Sequence, residues 1–411
     1  MGKAFFKQTI RDVPLEHKTV LVRADYNVPL DSKGRIRDDL RIRASLPTLR
    51  YLLERGCKVV IVSHLGRPGG VRNDTYSLQP VAKRLARLLD RDVRLSDDCV
   101  GDRAYQTVKT ATPNTVVMLE NVRFHPEEEQ NDESFAKKLA RASQAAYFVQ
   151  DGFGVVHRAH ATTDAITHHI PAVAGLLLEK EYQILSRAVE QPAKPLVAIM
   201  GGAKVSDKIA IIERFVKKAD TIAIGGAMAN TFLEYRGYEV GASMFEAEQQ
   251  TVLDKLYAAA ARKTGGENVE DFLMIPSDVA VARTVSPAAK RRVVSVDSID
   301  KDDRALDIGD ETIQRYVEVV ARAGTVIWNG PVGYSELRNF AHGSARLALA
   351  LATHPSVVSI IGGGDTADFI LKWDGHDGAS FSHVSTGGGA GLELMAGKEL
   401  PGVEALLDAR R

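Results

Sequence analysis

Short apolar runs alternate with amphipathic stretches along the first half of the chain. Continuous apolar runs predict strands that are covered on both faces of a sheet, and they occur at 19–22, 58–62, 115–119 and 145–149. Between them, apolar residues recur at helical spacing, and the predicted helices cover 42–55, about 77–90 and about 132–142. Strand, polar turn and helix therefore follow one another repeatedly, which is typical of a parallel sheet with helices on both faces.

The same alternation returns after a long predicted helix at 171–185, whose exit is bracketed by Pro192 and Pro195. The later apolar runs predict strands at 196–200, 221–224, 272–275, 325–328 and 357–361. The pattern predicts an α/β protein with two doubly wound parallel-sheet (Rossmann-like) domains joined by a hinge helix. We place the first domain at 1–172, the interdomain helix at 173–192 and the second domain at 193–395.

Length and composition agree with this organisation. The chain has 411 residues, more than one hydrophobic core usually serves, and its 45% hydrophobic and 26% charged content is ordinary for a globular protein. Cys57 and Cys99 alone give no disulfide framework, which suits a reducing compartment. The N-terminal residues have no apolar signal segment, and no apolar run is long enough to span a membrane. We therefore expect a cytoplasmic protein without a membrane partner.

The formal net charge of zero hides an asymmetry between the two halves. Residues 1–172 carry 27 Lys and Arg against 21 Asp and Glu, whereas the remaining residues carry 26 against 32. Arginine suits bidentate recognition of carboxylate and phosphate. The basic residues are scattered singly, without the long basic runs of a nucleic-acid-binding arm. The sequence therefore favours a small anionic ligand and no nucleic acid.

Polar and basic residues follow the predicted strands of the first half. They are Asp25, Asn27, Arg41, His64, Arg67, Arg123 and Arg158. Because ligands bind outside the carboxyl ends of parallel strands, these residues should converge on one pocket for a compact polyanion, such as a phosphorylated carboxylic acid. Taken singly, each arginine also fits a surface ion pair. His157 and His160 suggest zinc by their spacing, but neither cysteine nor a suitably spaced carboxylate lies nearby, so hydrogen bonding to the turn or a ligand is favoured.

In the second half, the glycine pair after strand 196–200 precedes a predicted helix with Ser206 as its N-cap. Lys204 and Lys208 lie at this helix N-terminus, an arrangement that suits a phosphate chain. An ordinary turn with solvated lysines is the alternative, since the spacing of the common phosphate loop is absent. Asp365 follows a triple glycine, where a single carboxylate can hold Mg²⁺ that nucleotide phosphates also bind.

Together these features indicate a phosphotransferase that closes about a hinge, since closure would exclude water from the transferring phosphoryl group. The sequence has no evident Asp–His base pair. That observation fits a carboxylate acceptor, which is already ionised at pH 7 and has no proton to lose.

Several motifs resemble those of the phosphoglycerate kinase family, from about residue 5 to the C-terminus. In the first half they are Arg23-Ala-Asp-Tyr-Asn-Val-Pro29, Ser63-His-Leu-Gly-Arg-Pro68, Leu119-Glu-Asn-Val-Arg-Phe-His125 and His157-Arg-Ala-His160. In the second half they are Gly201-Gly-Ala-Lys-Val-Ser-Asp-Lys208, Trp328-Asn-Gly-Pro331, Gly362-Gly-Gly-Asp-Thr366 and Ser382-His-Val-Ser-Thr-Gly-Gly-Gly389. The ordered set is specific to that family.

The resemblance implies reversible phosphoryl transfer between MgATP and the carboxylate of 3-phosphoglycerate by a monomer, with ATP or ADP as co-substrate. It assigns 3-phosphoglycerate binding to Asp25, Tyr26, Asn27, Arg41, His64, Leu65, Gly66, Arg67, Arg123 and Arg158. Stabilisation of the transferring group falls to Arg41, Lys204, Gly364, Gly387, Gly388 and Gly389. Nucleotide binding falls to Lys204, Lys208, Asn329, Glu336, Gly363, Gly364, Asp365 and Thr366, with Mg²⁺ at Asp365. The resemblance also implies that residues 396–411 pack back on the first domain.

The chain departs from the family pattern at five positions: Gln150, Gly152, Ala227, Tyr334 and Ser335. The last two precede Glu336, which the resemblance places at the ribose. A catalytically inactive homologue that only binds ligands is therefore the alternative, although Arg41, Lys204 and Asp365 are all present. A metal-dependent phosphohydrolase is a second alternative, but the sequence supplies neither a nucleophile nor a metal cluster for it.

Overall fold

The computed structural model describes residues 5–112 and 115–409. The first half forms one parallel sheet with the strand order β3-β4-β2-β1-β5-β6. Its strands are β1 (Thr19–Arg23), β2 (Lys58–Val62), β3 (Val93–Leu95), β4 (Val116–Met118), β5 (Tyr147–Gln150) and β6 (Ala172–Ala174). The helices between them are α1 (Leu40–Glu54), α2 (Gln79–Leu89), α3 (Gly101–Thr110) and α4 (Glu133–Ser143).

The central strands β1 and β2 are paired in parallel, with Thr19 opposite Lys58 and Arg23 opposite Val62. Both are buried after their first residue, because helices cover the sheet on both faces. This explains why they appear as continuous apolar runs in the sequence. The short edge strand β3 is only partly buried and has no such run, so neither β3 nor α3 is predicted by the apolar pattern.

The connection between the halves differs from the prediction of one helix at 171–185. Residues Ala172–Ala174 form the edge strand β6, and the connecting helix α5 runs from Leu176 to Glu190. Gly175 lies between the strand and the helix. Only glycine fits there, because a Cβ would lie 2.0 Å from Asp151 Oδ1. Residues before α5 form one six-stranded parallel sheet and residues after it form the other. The domain bounds 1–172, 173–192 and 193–395 stay predictions.

The second half contains a six-stranded parallel sheet, ordered β15-β14-β13-β7-β8-β9, and a three-stranded antiparallel sheet, ordered β11-β10-β12. The strands are β7 (Leu196–Met200), β8 (Thr221–Ile224), β9 (Leu273–Met274), β10 (Asp278–Ala282), β11 (Arg292–Ser295), β12 (Arg304–Ile308), β13 (Thr325–Asn329), β14 (Val358–Gly362) and β15 (His383–Val384). The helices are α6 (Ile209–Lys218), α7 (Gly226–Tyr235), α8 (Gln250–Thr264), α9 (Val269–Phe272), α10 (Asp310–Ala321), α11 (His342–Thr353), α12 (Gly364–Asp374), α13 (Gly388–Met395) and α14 (Pro401–Glu404).

The antiparallel sheet was not predicted. Strand β10 is fully buried, but β11 has no fully buried residue, so β11 lacks an apolar run of its own. Pairing of Asp278 with Ser295 and of Val279 with Ile308 sets the register on the two sides of β10. This sheet is an addition to the parallel fold and lies beside α7 and α10.

The C-terminal segment contacts the first half at several points. The Gly402 N–H donates to Val156 O at 2.9 Å, and the Leu407 N–H donates to Ala172 O at 2.9 Å. The buried Lys7 ammonium donates to Asp408 Oδ1 at 2.7 Å. Residues 410–411, the end of the predicted 396–411 segment, and residues 1–4 of the predicted first domain lie outside the described residues.

The state of the two cysteines and the length of the helices bear on the expected cellular environment. Cys57 and Cys99 are both buried and not joined in a disulfide. None of the helices in the described ranges combines the length and the apolar composition that a membrane span requires.

Candidate active site

The basic and polar residues of the first half gather at the carboxyl edge of its sheet. Asp25 and Asn27 follow β1, His64 and Arg67 follow β2, and Arg123 lies in a short 3₁₀ helix after β4. Arg158 follows β5, and Arg41 lies in the first turn of α1. Because all these strands are parallel, their carboxyl ends share one edge, as the sequence predicts.

Direct hydrogen bonds hold several of these groups in place. Arg41 Nη1 donates to Asp25 Oδ2 at 2.7 Å. Asn27 Oδ1 accepts the Gly66 N–H at 2.8 Å, and Arg123 Nη1 donates to Gly66 O at 2.9 Å. The carboxylate of Asp25 thus orients an arginine, and the backbone of Gly66 joins an amide side chain to a second guanidinium.

His64 shows how much positive charge gathers here. Burial lowers the pKa of His64 well below its ordinary value, and the charges of Arg23 and Arg123 lower it further. Its Nδ1 lies 3.2 Å from Arg23 Nη2. The imidazole is therefore neutral at pH 7, and an anion entering the pocket would meet arginines whose mutual repulsion it relieves.

Arg23 was not among the predicted site residues. Its side chain is buried, and its Nε donates to Thr162 Oγ1 at 2.8 Å. Thr162 Oγ1 in turn donates to the buried carboxylate of Glu128 at 2.5 Å. The sequence did offer one signal for Arg23: it is a charged residue at the end of an otherwise apolar strand. A charge that is buried requires partners or a function.

Arg67 and Arg158 differ from the other arginines in having free guanidinium groups. Arg67 is exposed and Arg158 is partly buried. Among the described residues, neither guanidinium forms an ion pair or a hydrogen bond. They are thus available to a bound anion.

Two predicted contact residues have their side chains in the core instead. Tyr26 is buried, and its hydroxyl lies 2.8 Å from Ser45 Oγ. Leu65 is also buried and packs in the same hydrophobic cluster as Tyr26. Only the backbone of these two residues can face a ligand, because the phenol and the isobutyl group fill space between the sheet and its helices.

In the second half, Lys208 lies where two glycine turns meet. Its Nζ donates to Gly201 O at 2.7 Å and to Asn329 O at 2.8 Å. The turns pack so closely that a Cβ on Gly330 would lie 2.2 Å from Gly201 O, and Gly330 has a φ of 97°. Burial lowers the pKa of Lys208 to about 8, although Asp365 and Asp207 pull it upward.

Helix α12 presents its N-terminus next to this lysine. Gly363 is its N-cap, and Asp365 lies in its first turn. A Cβ on Gly364 would meet nothing within 4 Å, so the backbone there is open to a ligand. Lys204 and Asp365 are exposed, and within the described ranges neither side chain forms an ion pair or a hydrogen bond. A free carboxylate on a helix N-terminus beside lysines suits a cation that is shared with phosphates.

The predicted helix cap at Ser206 was wrong. Helix α6 begins at Ile209, with Lys208 as the preceding cap residue. The Ser206 N–H donates to Glu246 Oε2 at 2.9 Å instead, and its hydroxyl donates to the other oxygen of that carboxylate. Because Ser206 donates both hydrogen bonds to Glu246, it does not cap helix α6. These bonds also fix the loop that carries Lys204.

Three of the predicted nucleotide-binding residues, Thr366, Asn329 and Glu336, differ from one another in burial and in hydrogen bonding. Thr366 is buried, and its Oγ1 accepts the Gly330 N–H at 2.7 Å, so its hydroxyl supports a glycine turn. Asn329 is buried, and its Nδ2 has no partner among the described residues. Glu336 and its neighbour Tyr334 are exposed.

The two halves meet at the N-terminus of α13. A Cβ on Gly389 would lie 3.2 Å from His157 Nε2, and one on Gly387 would lie 2.4 Å from Phe153 Cε1. His157 belongs to the turn that also carries Arg158. The glycines at 387–389 therefore lie against the turn of the first half that carries Arg158.

Comparisons with known proteins agree with one another. A family model described as phosphoglycerate kinase matches residues 10–398. The chain is 46% identical to the phosphoglycerate kinase of Pelotomaculum thermopropionicum over 402 residues, covering 98% of this chain and 99% of that one. It is 47% identical to the phosphoglycerate kinase of Chloroflexus aurantiacus, with the same coverage. The solved phosphoglycerate kinase of Coxiella burnetii has 37% identity and a TM-score of 0.81, covering 97% of this chain and 98% of that one. That of Pyrococcus horikoshii OT3 has 32% identity and a TM-score of 0.82, also covering 97% and 98%.

Proposed function

The chain belongs to the phosphoglycerate kinase family, and we propose that the facing turns of its two parallel sheets form the active site of that enzyme. It transfers a phosphoryl group reversibly between ATP and the carboxylate of 3-phosphoglycerate, giving ADP and 1,3-bisphosphoglycerate, a reaction of glycolysis.

In this proposal the first half binds 3-phosphoglycerate. The free guanidinium groups of Arg67 and Arg158 and the fixed guanidinium of Arg123 form charge-assisted hydrogen bonds with its phosphate. The neutral imidazole of His64 and the side chain of Asn27 orient the rest of the molecule. Asp25 positions Arg41 and can also accept a hydrogen bond from the substrate hydroxyl.

Phosphoryl transfer requires little proton chemistry, since the acceptor carboxylate is already ionised at neutral pH. The protein therefore acts by positioning and by stabilising the charge that spreads over the transferring group. Arg41 approaches from the first half and Lys204 from the second. Backbone N–H groups of Gly364 and Gly387–Gly389, at the N-termini of α12 and α13, add further donors.

The second half binds the nucleotide through the same turns. Lys208 is close enough to Asp365 for the carboxylate to raise its pKa, so the two groups share one end of the phosphate chain. The free, exposed carboxylate of Asp365 fits Mg²⁺, which prefers oxygen ligands and is usually held by one or two carboxylates together with substrate phosphates. When bound, the ion would neutralise charge on the nucleotide phosphates. In the proposal, the carboxylate of Glu336 accepts hydrogen bonds from the ribose hydroxyls, and Asn329 and Thr366 support the turns.

The observation that carries the proposal is the contact between the turn of His157 and the glycines that begin α13, because it brings the anion-binding edge of one sheet to a helix N-terminus of the other. We further propose a cytoplasmic monomer whose halves close about α5. Closure would remove water from the transferring group and so limit hydrolysis of ATP.

The test is steady-state turnover with MgATP and 3-phosphoglycerate, coupled to reduction of the acyl phosphate and followed as loss of NADH. We expect a rate that requires both substrates and disappears with EDTA. Binding of both ligands without turnover would indicate the inactive-homologue alternative. Release of inorganic phosphate from MgATP in the absence of 3-phosphoglycerate, without any loss of NADH when the acceptor is added, would indicate hydrolysis of ATP and contradict the proposal.

A further inference from the structure

A second basic cavity lies outside the proposed active site, between the N-terminal ends of α1 and α2. Its volume is about 740 Å³, within the range of small-molecule sites. It shares no residue with the predicted substrate-binding and nucleotide-binding sets. Its charged lining residues are Arg35, Arg37, Asp38, Asp39, Arg43, Lys83, Arg84, Arg87 and Asp377. Six of these are cationic and three are anionic, so the lining has an excess of positive charge.

Three of the cations have no partner in the protein. Arg37 lies in the loop before α1, whereas Lys83 and Arg87 lie one turn apart on α2 and point to the same side of that helix. All three are exposed. In the part of the chain that the structure describes, none of their charged groups forms an ion pair or a hydrogen bond. The cavity thus has free cations on two different elements, the loop before α1 and helix α2.

The base of the cavity is a network of ion pairs that is already ordered. Asp39 is buried, and its carboxylate accepts from Arg43 Nε at 2.9 Å and from Arg84 Nε at 2.5 Å. Both guanidinium groups also line the cavity. An anion that enters would therefore find two arginines whose side chains need no further ordering.

The cavity lies at the junction of the two halves. Asp377 belongs to the loop after α12, and its two carboxylate oxygens accept from Arg43 Nη1 and Nη2 at 2.7 and 2.6 Å. This bidentate ion pair joins α1 to the second half. Among the described residues, Asp377 is the one acidic residue of the second half that lines the cavity.

From these observations we propose that the cavity binds an oligophosphate, a short chain of phosphate groups, through Arg37, Lys83 and Arg87 with support from Arg43 and Arg84. Free cations on two separate elements of a cavity this size suit several linked anionic groups better than one small anion, and guanidinium groups match phosphate oxygens in bidentate geometry. The bound chain competes with Asp377 for Arg43, so binding weakens the ion pair between α1 and the second half. The proposal goes beyond the proposed function and does not depend on its residue assignments.

The test uses inorganic tripolyphosphate as the probe, titrated into the full chain by calorimetry in magnesium-free buffer. Saturating 3-phosphoglycerate and ADP are present, a pair that cannot react and that occupies the active site. We expect one tripolyphosphate per chain under these conditions. Lys83→Glu/Arg87→Glu should weaken binding about tenfold or more, since each exchange replaces an attraction by a repulsion. Asp377→Asn should tighten binding about threefold, because it removes a competing carboxylate from Arg43.

The matched control is Arg91→Glu/Arg94→Glu, which changes the net charge equally at two exposed arginines outside the cavity. It should leave the probe's affinity within about twofold. Binding that disappears when the active site is filled would overturn the proposal. The proposal also fails if both double variants weaken binding alike, or if Asp377→Asn weakens it. Turnover and thermal unfolding of each variant establish that it is folded, and the gain expected from Asp377→Asn cannot arise from misfolding.

Discussion

Glu181 in the middle of α5 and His383 in β15 form a buried pair, with 2.9 Å between Glu181 Oε2 and His383 Nε2. The other carboxylate oxygen accepts the Thr386 N–H at 2.7 Å and the Thr386 hydroxyl at 2.8 Å. Burial by itself opposes ionisation of Glu181, but the hydrogen bonds from His383 and Thr386 outweigh it and lower its pKa. The connecting helix is thereby tied to the residues that precede the glycines of α13.

We expect Glu181→Ala to lower the free energy of unfolding by about 3 kcal/mol, because it leaves the buried donors of His383 and Thr386 without an acceptor. Urea unfolding followed by circular dichroism measures the change. Glu179→Ala on the same helix removes a more exposed ion pair with Arg11 and should cost at most about 1 kcal/mol. Equal losses in the two variants would show that the buried network contributes nothing beyond an ordinary ion pair.

Arg158→Ala should raise the KM for 3-phosphoglycerate by about tenfold or more, the scale of a lost hydrogen bond to a charged group. The KM for ATP should change much less, because Arg158 belongs to the first half. Steady-state kinetics with each substrate varied in turn gives both values. Arg141→Ala, at an exposed arginine of α4, is the control and should change neither. A larger effect on ATP than on 3-phosphoglycerate would refute the assignment of the halves.

Asp365→Asn should raise the Mg²⁺ concentration that gives half-maximal turnover by about tenfold. The amide keeps the shape of the side chain but loses the charge that suits a divalent cation. The measurement is turnover against free Mg²⁺ at fixed ATP and 3-phosphoglycerate. Asp368→Asn on the same helix, where the carboxylate pairs with Lys372, should leave that concentration unchanged. If Asp365→Asn needed the same Mg²⁺ concentration as the unchanged protein, Asp365 would not be a ligand of the metal.

The lowered pKa of Lys208 leads us to expect that nucleotide binding depends on pH. Burial lowers its pKa to about 8, so the free protein loses this positive charge as the pH rises through 8. The Kd for ADP should therefore rise above pH 8, with a slope that approaches tenfold per pH unit. Calorimetric titrations between pH 7 and about pH 9.5 measure the slope. In Lys208→Met the Kd should be higher at pH 7 and nearly independent of pH over this range; the same slope in both proteins would assign it to another group.

The parallel sheets and their order of elements could be predicted because burial on both faces leaves continuous apolar runs. The same reasoning failed where burial is partial or the strand is very short. Strand β11 has no fully buried residue, β6 has only three residues, and both were missed. Ser206 does not cap a helix as predicted, because it binds Glu246, which is distant in the sequence and which no local pattern indicates.

At the site, position along the chain predicted which residues follow strands, but it did not predict where their side chains point. Arg67 and Arg158 are free, as an anion site requires, whereas Tyr26 and Leu65 pack in the core. Thr366 follows a strand like the others, yet its hydroxyl accepts a backbone N–H within the protein. Arg23 was missed because its buried partners, Thr162 and His64, are distant in the sequence.

The central claim is that groups from both halves act together on one transferring phosphoryl group, and Lys204→Ala tests it most directly. The exposed ammonium of Lys204 has no partner among the described residues, so its removal should not disturb the fold. We expect kcat to fall by about 100-fold or more, while the calorimetric Kd for 3-phosphoglycerate stays within about threefold. Lys217→Ala, at an exposed lysine near the end of α6, should change neither value. Equal losses of turnover and of 3-phosphoglycerate binding in Lys204→Ala would contradict a role in the transition state.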